Sequence, residues 1–227
     1  LVRLADRAKQ LLKNGVYRAI GETYEAVGAV DGDGERVLRV LMYHKINDLD
    51  GNPVTVPVAL FAEQMAQVRD LGYTVVAIDD VLDHFAGLRP LPPRAVLITF
   101  DDGYRDNLLN AAPVLQSFGY PAVVFVPIGY LDSARPLPHE DHLLARGNPT
   151  LDWAELAELE AAGLRVESHG ISHRPLANLE IDEAAREITL SKLRLEDRLG
   201  RPVRAFAFVK GSEADYRPVH LSLLKQA

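Results

Sequence analysis

Short apolar runs alternate with segments of helical periodicity along most of this chain. The helical segments carry apolar residues three or four positions apart, as at Phe61, Met65 and Val68, a spacing that places them on one face of a helix. The apolar runs are rich in β-branched and aromatic residues, which is typical of strands buried on both faces. We predict strands at residues 37–43, 74–78, 95–100, 122–126, 164–168 and 203–208.

The repeated order of strand, loop and helix predicts an α/β fold with a parallel sheet. We expect a distorted (β/α) barrel and keep an open, doubly wound sheet as the alternative. The chain has 227 residues, of which 48% are hydrophobic, and this suits one globular domain with a sizeable core. Residues 215–227 have a helical pattern that should lead to a further strand. We therefore expect the barrel to be incomplete, and the domain truncated, at the C-terminal edge.

The first 35 residues form a separate unit in this interpretation. Residues 1–27 place leucine and alanine at helical spacing between basic residues, and a turn-rich stretch follows at 31–34. We assign residues 1–35 to an N-terminal helical segment or linker and residues 36–227 to the domain. A helix packed on the domain surface is the first interpretation of residues 1–27, and a membrane-surface or linker role is the alternative.

Composition excludes some classes of partner and some kinds of site. The net charge is −7 and the basic residues are scattered, so nucleic acid is not an expected partner, because binding its phosphates requires a clustered basic surface. The chain has no cysteine, so disulfides, thiolate metal ligands and thiol nucleophiles are excluded. No apolar run approaches the roughly 20 residues that span a bilayer, and we predict no transmembrane segment in this chain.

Two motifs stand at the ends of predicted strands. The first is Thr99-Phe100-Asp101-Asp102-Gly103-Tyr104, whose adjacent carboxylates would require a cation or a shared proton in a partly dry cleft. The second contains His169 and His173. Taken alone, an Asp-Asp-Gly sequence is commonly a turn and a His-x-x-x-His sequence a solvated helix face. Together they offer two His and one Asp with a position left for water, which is the usual composition of a catalytic metal site.

The two motifs together resemble those of the polysaccharide deacetylases of carbohydrate esterase family 4, the NodB homology domain. The resemblance covers roughly residues 36–227 and implies a distorted (β/α) barrel of the NodB type. It also implies that Asp101 is the general base and that Asp102, His169 and His173 bind one divalent metal ion, usually zinc. The zincin pattern His-Glu-x-x-His is absent, because Gly170 stands in the place of the Glu.

The family also requires a general acid, normally a histidine near the C-terminal end of the domain, and no such motif follows residue 208. The sequence Val40-Leu41-Met42-Tyr43-His44 instead resembles the branch that acts on biofilm exopolysaccharides of poly-N-acetylglucosamine. In that branch, circular permutation moves the acid to the first strand, and His44 is therefore the candidate acid. The implied activity is hydrolysis of N-acetyl groups on a glycan, in an extracytoplasmic, secreted or cell-envelope setting.

Further polar residues are candidates for substrate contacts or for structural roles. Val209 and Lys210 stand where family members commonly carry Pro-Tyr, so a weakened carbohydrate-binding domain is one alternative and an amidase acting on a small amide is another. Tyr104 and Lys210 are candidate substrate contacts. The loop at 127–150 carries two further histidines, His139 and His142. Long loops at strand ends can shape a substrate groove, but a variable surface loop without a direct role for these histidines is the first interpretation. His84 and His220 are expected to be structural or surface residues.

Overall fold

The computed structural model describes residues 37–49, 54–140 and 149–227. The expected helical segment at 1–27, the boundary at residue 35 and His142 lie outside the described residues. A search of the described helices finds none with the length and apolar character needed to cross a membrane.

The strands in this part of the chain are β1 (Arg39–Tyr43), β2 (Lys45–Ile46), β3 (Thr55–Val56), β4 (Thr74–Val75), β5 (Ala95–Phe100), β6 (Ala122–Val126) and β7 (Leu164–Ser168). The helices are α1 (Val58–Asp70), α2 (Ile78–Phe85), α3 (Ala112–Phe118), α4 (Glu155–Ala161), α5 (Ile181–Leu199) and α6 (Pro218–Gln226). A π-helical turn, Asn107–Ala111, leads into α3, and short 3₁₀ turns occur at Ile128–Tyr130 and Leu176–Asn178.

Five parallel strands form the main sheet. The central strand β5 pairs with β1 and β6, its first residues also pair with β4, and β7 pairs with β6. In this register Tyr43 lies opposite Phe100, and Val126 lies opposite Ser168. Because all five strands are parallel, the carboxyl ends of β1, β5, β6 and β7 meet at one edge, where ligand sites of α/β proteins are formed.

Helix packing on one face of the sheet follows the hydrophobic pattern. In α1, Phe61, Met65 and Val68 are buried at helical spacing. The Phe61 ring meets the Tyr43 ring edge-on with centroids 5.0 Å apart, and the Phe100 ring lies 5.9 Å away. The opposite face forms a second apolar cluster with residues from α2.

Two of the described helices end at a glycine. Gly119 and Gly200 end α3 and α5 in the left-handed conformation with φ +67°, as glycine at a helix C-terminus commonly does.

Three of the predicted strands are wrong in extent. The strand expected at 37–43 begins at Arg39, and the other two differ more. The strand expected at 74–78 ends at Val75, because the backbone N–H of Ala77 donates to the Asp80 carboxylate and α2 begins at Ile78. The strand expected at 203–208 is reduced to one isolated bridge between Ser168 and Phe206.

A side chain on β7 explains why residues 203–208 do not form a full strand. The buried Glu167 carboxylate accepts the N–H groups of Arg204 and Ala205, each at 2.8 Å, so a side chain takes donors that a strand would give to its neighbour. The segment still runs beside β7, since Ala207 N–H donates to the carbonyl of Ser168 at 2.9 Å.

Candidate metal and catalytic centre

Five predicted site residues meet at the carboxyl ends of three strands. His44 follows β1, Asp101 and Asp102 follow β5, and His169 and His173 follow β7. All five line one cleft of about 890 Å³. The parallel register therefore brings together residues that span positions 44 to 173 of the sequence.

A strained turn after β5 directs Asp102 inwards. Asp102 has φ +76° and Gly103 has φ +62°, a region that residues with a Cβ rarely occupy. A Cβ on Gly103 would lie 2.8 Å from Cγ1 of Val126, so only glycine permits this close approach to β6. The N–H of Asp101 donates to the carbonyl of Tyr43 at 2.9 Å, which ties the turn to the end of β1.

Asp102, His169 and His173 form a compact set of metal-ligating atoms. Oδ1 of Asp102 lies 2.7 Å from Nε2 of His173 and 3.6 Å from Nε2 of His169, and one ligand atom from each residue lies within 4.8 Å of the others. Both Asp102 oxygens are buried, and neither accepts a hydrogen bond of proper geometry from any described residue. A buried carboxylate in this state is costly unless a cation compensates it.

The orientation of His169 also suits metal binding. Its Nδ1 lies 2.9 Å from the carbonyl oxygen of Ala207, and an N–H donated there leaves the Nε2 lone pair directed at Asp102. A hydrogen bond from the ring nitrogen that faces away from the metal fixes the tautomer of a histidine ligand. The three residues therefore fit one divalent ion, with Asp102 supplying the negative charge and the two histidines supplying neutral nitrogen donors.

The pKa values of the two adjacent aspartates shift in opposite directions. Burial opposes ionisation of Asp102, yet the imidazoles of His169 and His173 outweigh it and hold the pKa of Asp102 well below its usual range. The pKa of Asp101 is raised, first by burial and further by the Asp102 charge, against the opposing effect of the nearby histidines. One carboxylate thus stays ionised as a ligand, and its neighbour is the stronger base.

Two further histidines border the cleft. His44 is half-buried, and its position is fixed by its own carbonyl, which accepts a hydrogen bond from Nδ2 of Asn107 at 2.8 Å. Nε2 of His139 lies 3.5 Å from Oδ2 of Asp102, and burial lowers the pKa of His139. The structure therefore brings His139 to the centre as well, beside Oδ2 of Asp102 and with its ring centroid 5.1 Å from that of His173.

The sequence profile of the family described as Polysaccharide deacetylase matches residues 89–226. The chain belongs to this family.

Curated relatives agree with the family. The chain is 32% identical over 155 residues to the putative polysaccharide deacetylase YxkH of Bacillus subtilis, an alignment that covers 68% of this chain and 50% of the relative. It is 36% identical over 91 residues to the poly-beta-1,6-N-acetyl-D-glucosamine N-deacetylase of Escherichia coli K12, covering 39% of this chain and 13% of the relative. The chain thus spans half or less of the length of these relatives.

Solved structures share the fold. The Streptococcus pyogenes deacetylase PplD, in complex with acetate, matches with a TM-score of 0.71 and 22% identity over 83% of this chain and 79% of that one. IcaB from Ammonifex degensii matches with a TM-score of 0.70 and 26% identity, and the match again covers 83% of this chain and 79% of that one. These similarities confirm the distorted barrel that the resemblance implied. In the described part of this polysaccharide deacetylase, β1 pairs with β5 alone, so the barrel is open beside β1.

The two candidate substrate contacts differ in position. Lys210 is exposed, lines the cleft and adopts φ +65°. Tyr104 is fully buried and packs with Tyr130 and Leu137. A side chain with no exposed surface cannot touch a glycan unless it moves, so this burial gives no support to the prediction that Tyr104 binds substrate.

The expectation of structural roles fits His84 and His220. Nδ1 of His84 accepts the N–H of Leu91 at 3.3 Å, and Nδ1 of the buried His220 accepts the N–H of Arg217 at 3.1 Å.

A buried ion pair next to the site was not predicted from the sequence. The buried Lys45 pairs with Glu140, and its Nζ lies 4.3 Å from the centre of the Tyr104 ring. Lys45 follows His44 directly and Glu140 follows His139 directly, so one ion pair joins the segments that carry two cleft histidines. The partners are 95 positions apart, and no sequence pattern could have paired them.

Proposed function

We propose that this polysaccharide deacetylase hydrolyses N-acetyl groups on a polysaccharide that contains N-acetylglucosamine, with one divalent metal ion, zinc being the first choice. The observation that carries the proposal is the buried Asp102 carboxylate, unsatisfied by hydrogen bonds and flanked by His169 and His173. Such a site requires a cation, and the basic Asp101 stands next to it.

Asp102, His169 and His173 would hold the metal. A divalent ion bound there supplies Lewis-acid polarisation of the amide carbonyl and lowers the pKa of water. Asp101 removes the proton from the attacking water. Its position at the carboxyl end of β5 places this base beside the metal ligands but outside the group that would hold the ion.

His44 is proposed as the general acid. An amide nitrogen leaves poorly as an anion, so it must gain a proton as the carbon–nitrogen bond breaks. His44 lines the same cleft as Asp101 and comes from a different strand end, so base and acid can approach the scissile bond from separate directions. The imidazolium donates its proton to the departing amine, and the released glycan carries a free amino group.

The substrate class rests on the relatives. The Escherichia coli relative is named for deacetylation of poly-beta-1,6-N-acetyl-D-glucosamine, and we extend that class of N-acetylated exopolysaccharide to this chain. Because such polymers lie outside the cytoplasm, we propose an extracytoplasmic or cell-envelope location. The cleft reaches the exposed residues Met42 and Lys210, as access for a polymer requires.

Acetate release is the test. Purified protein loaded with zinc should release acetate from β-1,6-linked N-acetylglucosamine oligomers, lose this activity with a chelator and regain it when zinc is restored. Release from a small amide such as acetamide, with none from the oligomers, would favour an amidase instead. Oligomer binding without acetate release under all metal conditions would favour the weakened binding domain suggested by Val209 and Lys210.

A further inference from the structure

The loop between the two histidine ligands is held on two sides. The carbonyl oxygens of Gly170 and Ile171 accept the N–H groups of Ile128 and Gly129, each at 3.0 Å, in the 3₁₀ turn that follows β6. The hydroxyl of Tyr130 donates to the carbonyl of Ser172 at 3.4 Å. One side of this loop therefore rests on backbone and side-chain groups of a neighbouring strand end.

The other side rests on a single carboxylate. Oε2 of Glu187 accepts the N–H of Ile171 at 2.6 Å and that of Ser172 at 3.0 Å, and Oε1 lies 3.3 Å from the N–H of Ser172. Hydrogen bonds to a charged acceptor are shorter and stronger than neutral ones. Of the three N–H groups between His169 and His173, that of Gly170 donates to the Ser168 hydroxyl at 3.2 Å, and the other two are satisfied by Glu187.

Glu187 is well placed to act as a fixed point. It lies on α5, and its neighbours Ala184 and Ile188 are buried. The loop approaches the carboxylate so closely that a Cβ on Gly170, which has φ +79°, would lie 2.9 Å from Oε2. His173 itself has φ +52°, a conformation that persists only when surrounding contacts impose it.

We propose that Glu187 is a positioning residue for the metal site, holding the His169–His173 loop in the conformation that directs both imidazoles at Asp102. The inference rests on the proposed metal-dependent function. Glu187 touches neither the ligand nitrogens nor the reacting atoms, and its effect passes through the backbone of Ile171 and Ser172. Loss of a supporting partner of this kind typically lowers metal affinity about 10–100-fold.

The first variant is Glu187→Gln, which keeps the shape of the side chain and removes its charge. One amide oxygen remains to accept, while the amide NH₂ faces an N–H donor. We expect the dissociation constant for zinc, measured by competition with a chromogenic chelator, to rise about 10-fold or more. We expect turnover at limiting zinc to fall and to recover in excess zinc.

Glu196→Gln is the matched control. Glu196 lies on the same helix, and its Oε1 accepts the N–H of Val203 at 3.0 Å, so the substitution also weakens a carboxylate bond to backbone, away from the histidine loop. Its zinc affinity should equal that of the wild type, whatever its melting temperature. Gly170→Ala, which crowds the same carboxylate from the loop side, should weaken zinc binding as Glu187→Gln does.

Zinc affinity in Glu187→Gln equal to that of the wild type would overturn the proposal, and so would an equal loss in Glu196→Gln. If Glu187→Gln fails to fold, Glu187→Asp, which keeps the charge but shortens the reach by one methylene, should fold with weakened zinc binding, and wild-type affinity there would count against it. Failure of the proposed function is distinct, because a wild type that binds zinc through His173 but releases no acetate would leave the role of Glu187 in metal binding intact.

Discussion

Lys45→Met should destabilise the protein strongly, because it leaves a buried charge without its partner. The side chains of Lys45 and Glu140 are 2% and 4% exposed, so neither charge is solvated by bulk water. Removing one member of a buried pair typically costs about 3–5 kcal/mol. Loss of the contact between Lys45 and the Tyr104 ring, at 4.3 Å, adds to this cost.

The melting temperature of the metal-free protein should fall accordingly. At about 2–4 °C per kcal/mol for a chain of this size, a loss of about 3 kcal/mol corresponds to a decrease of roughly 6–12 °C. The double variant Lys45→Met with Glu140→Leu should recover much of the loss, since a buried pair replaced by apolar groups is often nearly neutral. Arg69→Met, in the exposed pair Arg69–Asp70, is the control and should change the melting temperature little, because exposed ion pairs contribute little to stability.

A decrease in Lys45→Met no larger than in Arg69→Met would refute this reasoning, and so would a double variant as unstable as the sum of its single variants. Either result would mean that the pair is solvated or not formed in solution. The pair joins the segments that bear His44 and His139. We therefore also expect the single variant to show reduced turnover at temperatures at which it is still folded.

Three further predictions concern the turn, the acid and the response to pH. Gly103→Ala should destabilise the fold by about 1–3 kcal/mol, because its Cβ would meet Val126 at 2.8 Å; an unchanged melting temperature would contradict this. His44→Gln should lower kcat about 10²–10⁴-fold while zinc content stays at the wild-type level; loss of zinc would instead make His44 a ligand. Burial opposes ionisation of Glu160, yet its hydrogen bond to Arg201 holds the pKa of Glu160 below its usual value. This carboxylate therefore stabilises the fold above the unfolded pKa, near 4.3, and stops doing so as pH falls through its folded pKa. Thermal unfolding of Glu160→Gln between pH 7 and pH 3 should show a shallower acid loss than the wild type, and parallel curves would exclude the effect.

The predicted strands at 95–100, 122–126 and 164–168 agree with the structure in both bounds. Each is buried along nearly its whole length, so its apolar run coincides with the strand. The strand at 203–208 failed because its N–H groups are taken by Glu167, a residue about 40 positions away whose role no local pattern reveals. The strand at 74–78 failed because the Asp80 carboxylate starts a helix there.

The candidate site was predictable where it depends on strand ends. Carboxyl ends of parallel strands meet at one edge, so His44, Asp102 and His169 could be expected to converge. Left-handed conformations at Asp102 and His173 were not predictable, because both depend on close packing against distant segments. The supports from Lys45, Glu140 and Glu187 share this property: each is a contact between residues that are far apart in the sequence.

The central claim is that, of two adjacent aspartates, Asp101 is the general base and Asp102 is a metal ligand. One paired measurement tests it. Zinc content and acetate release should be determined together for Asp101→Asn and His173→Ala, with β-1,6-linked N-acetylglucosamine oligomers as substrate. We predict that Asp101→Asn keeps wild-type zinc but loses turnover, whereas His173→Ala loses both. Zinc content unchanged in both variants, or lost from Asp101→Asn, would contradict the account.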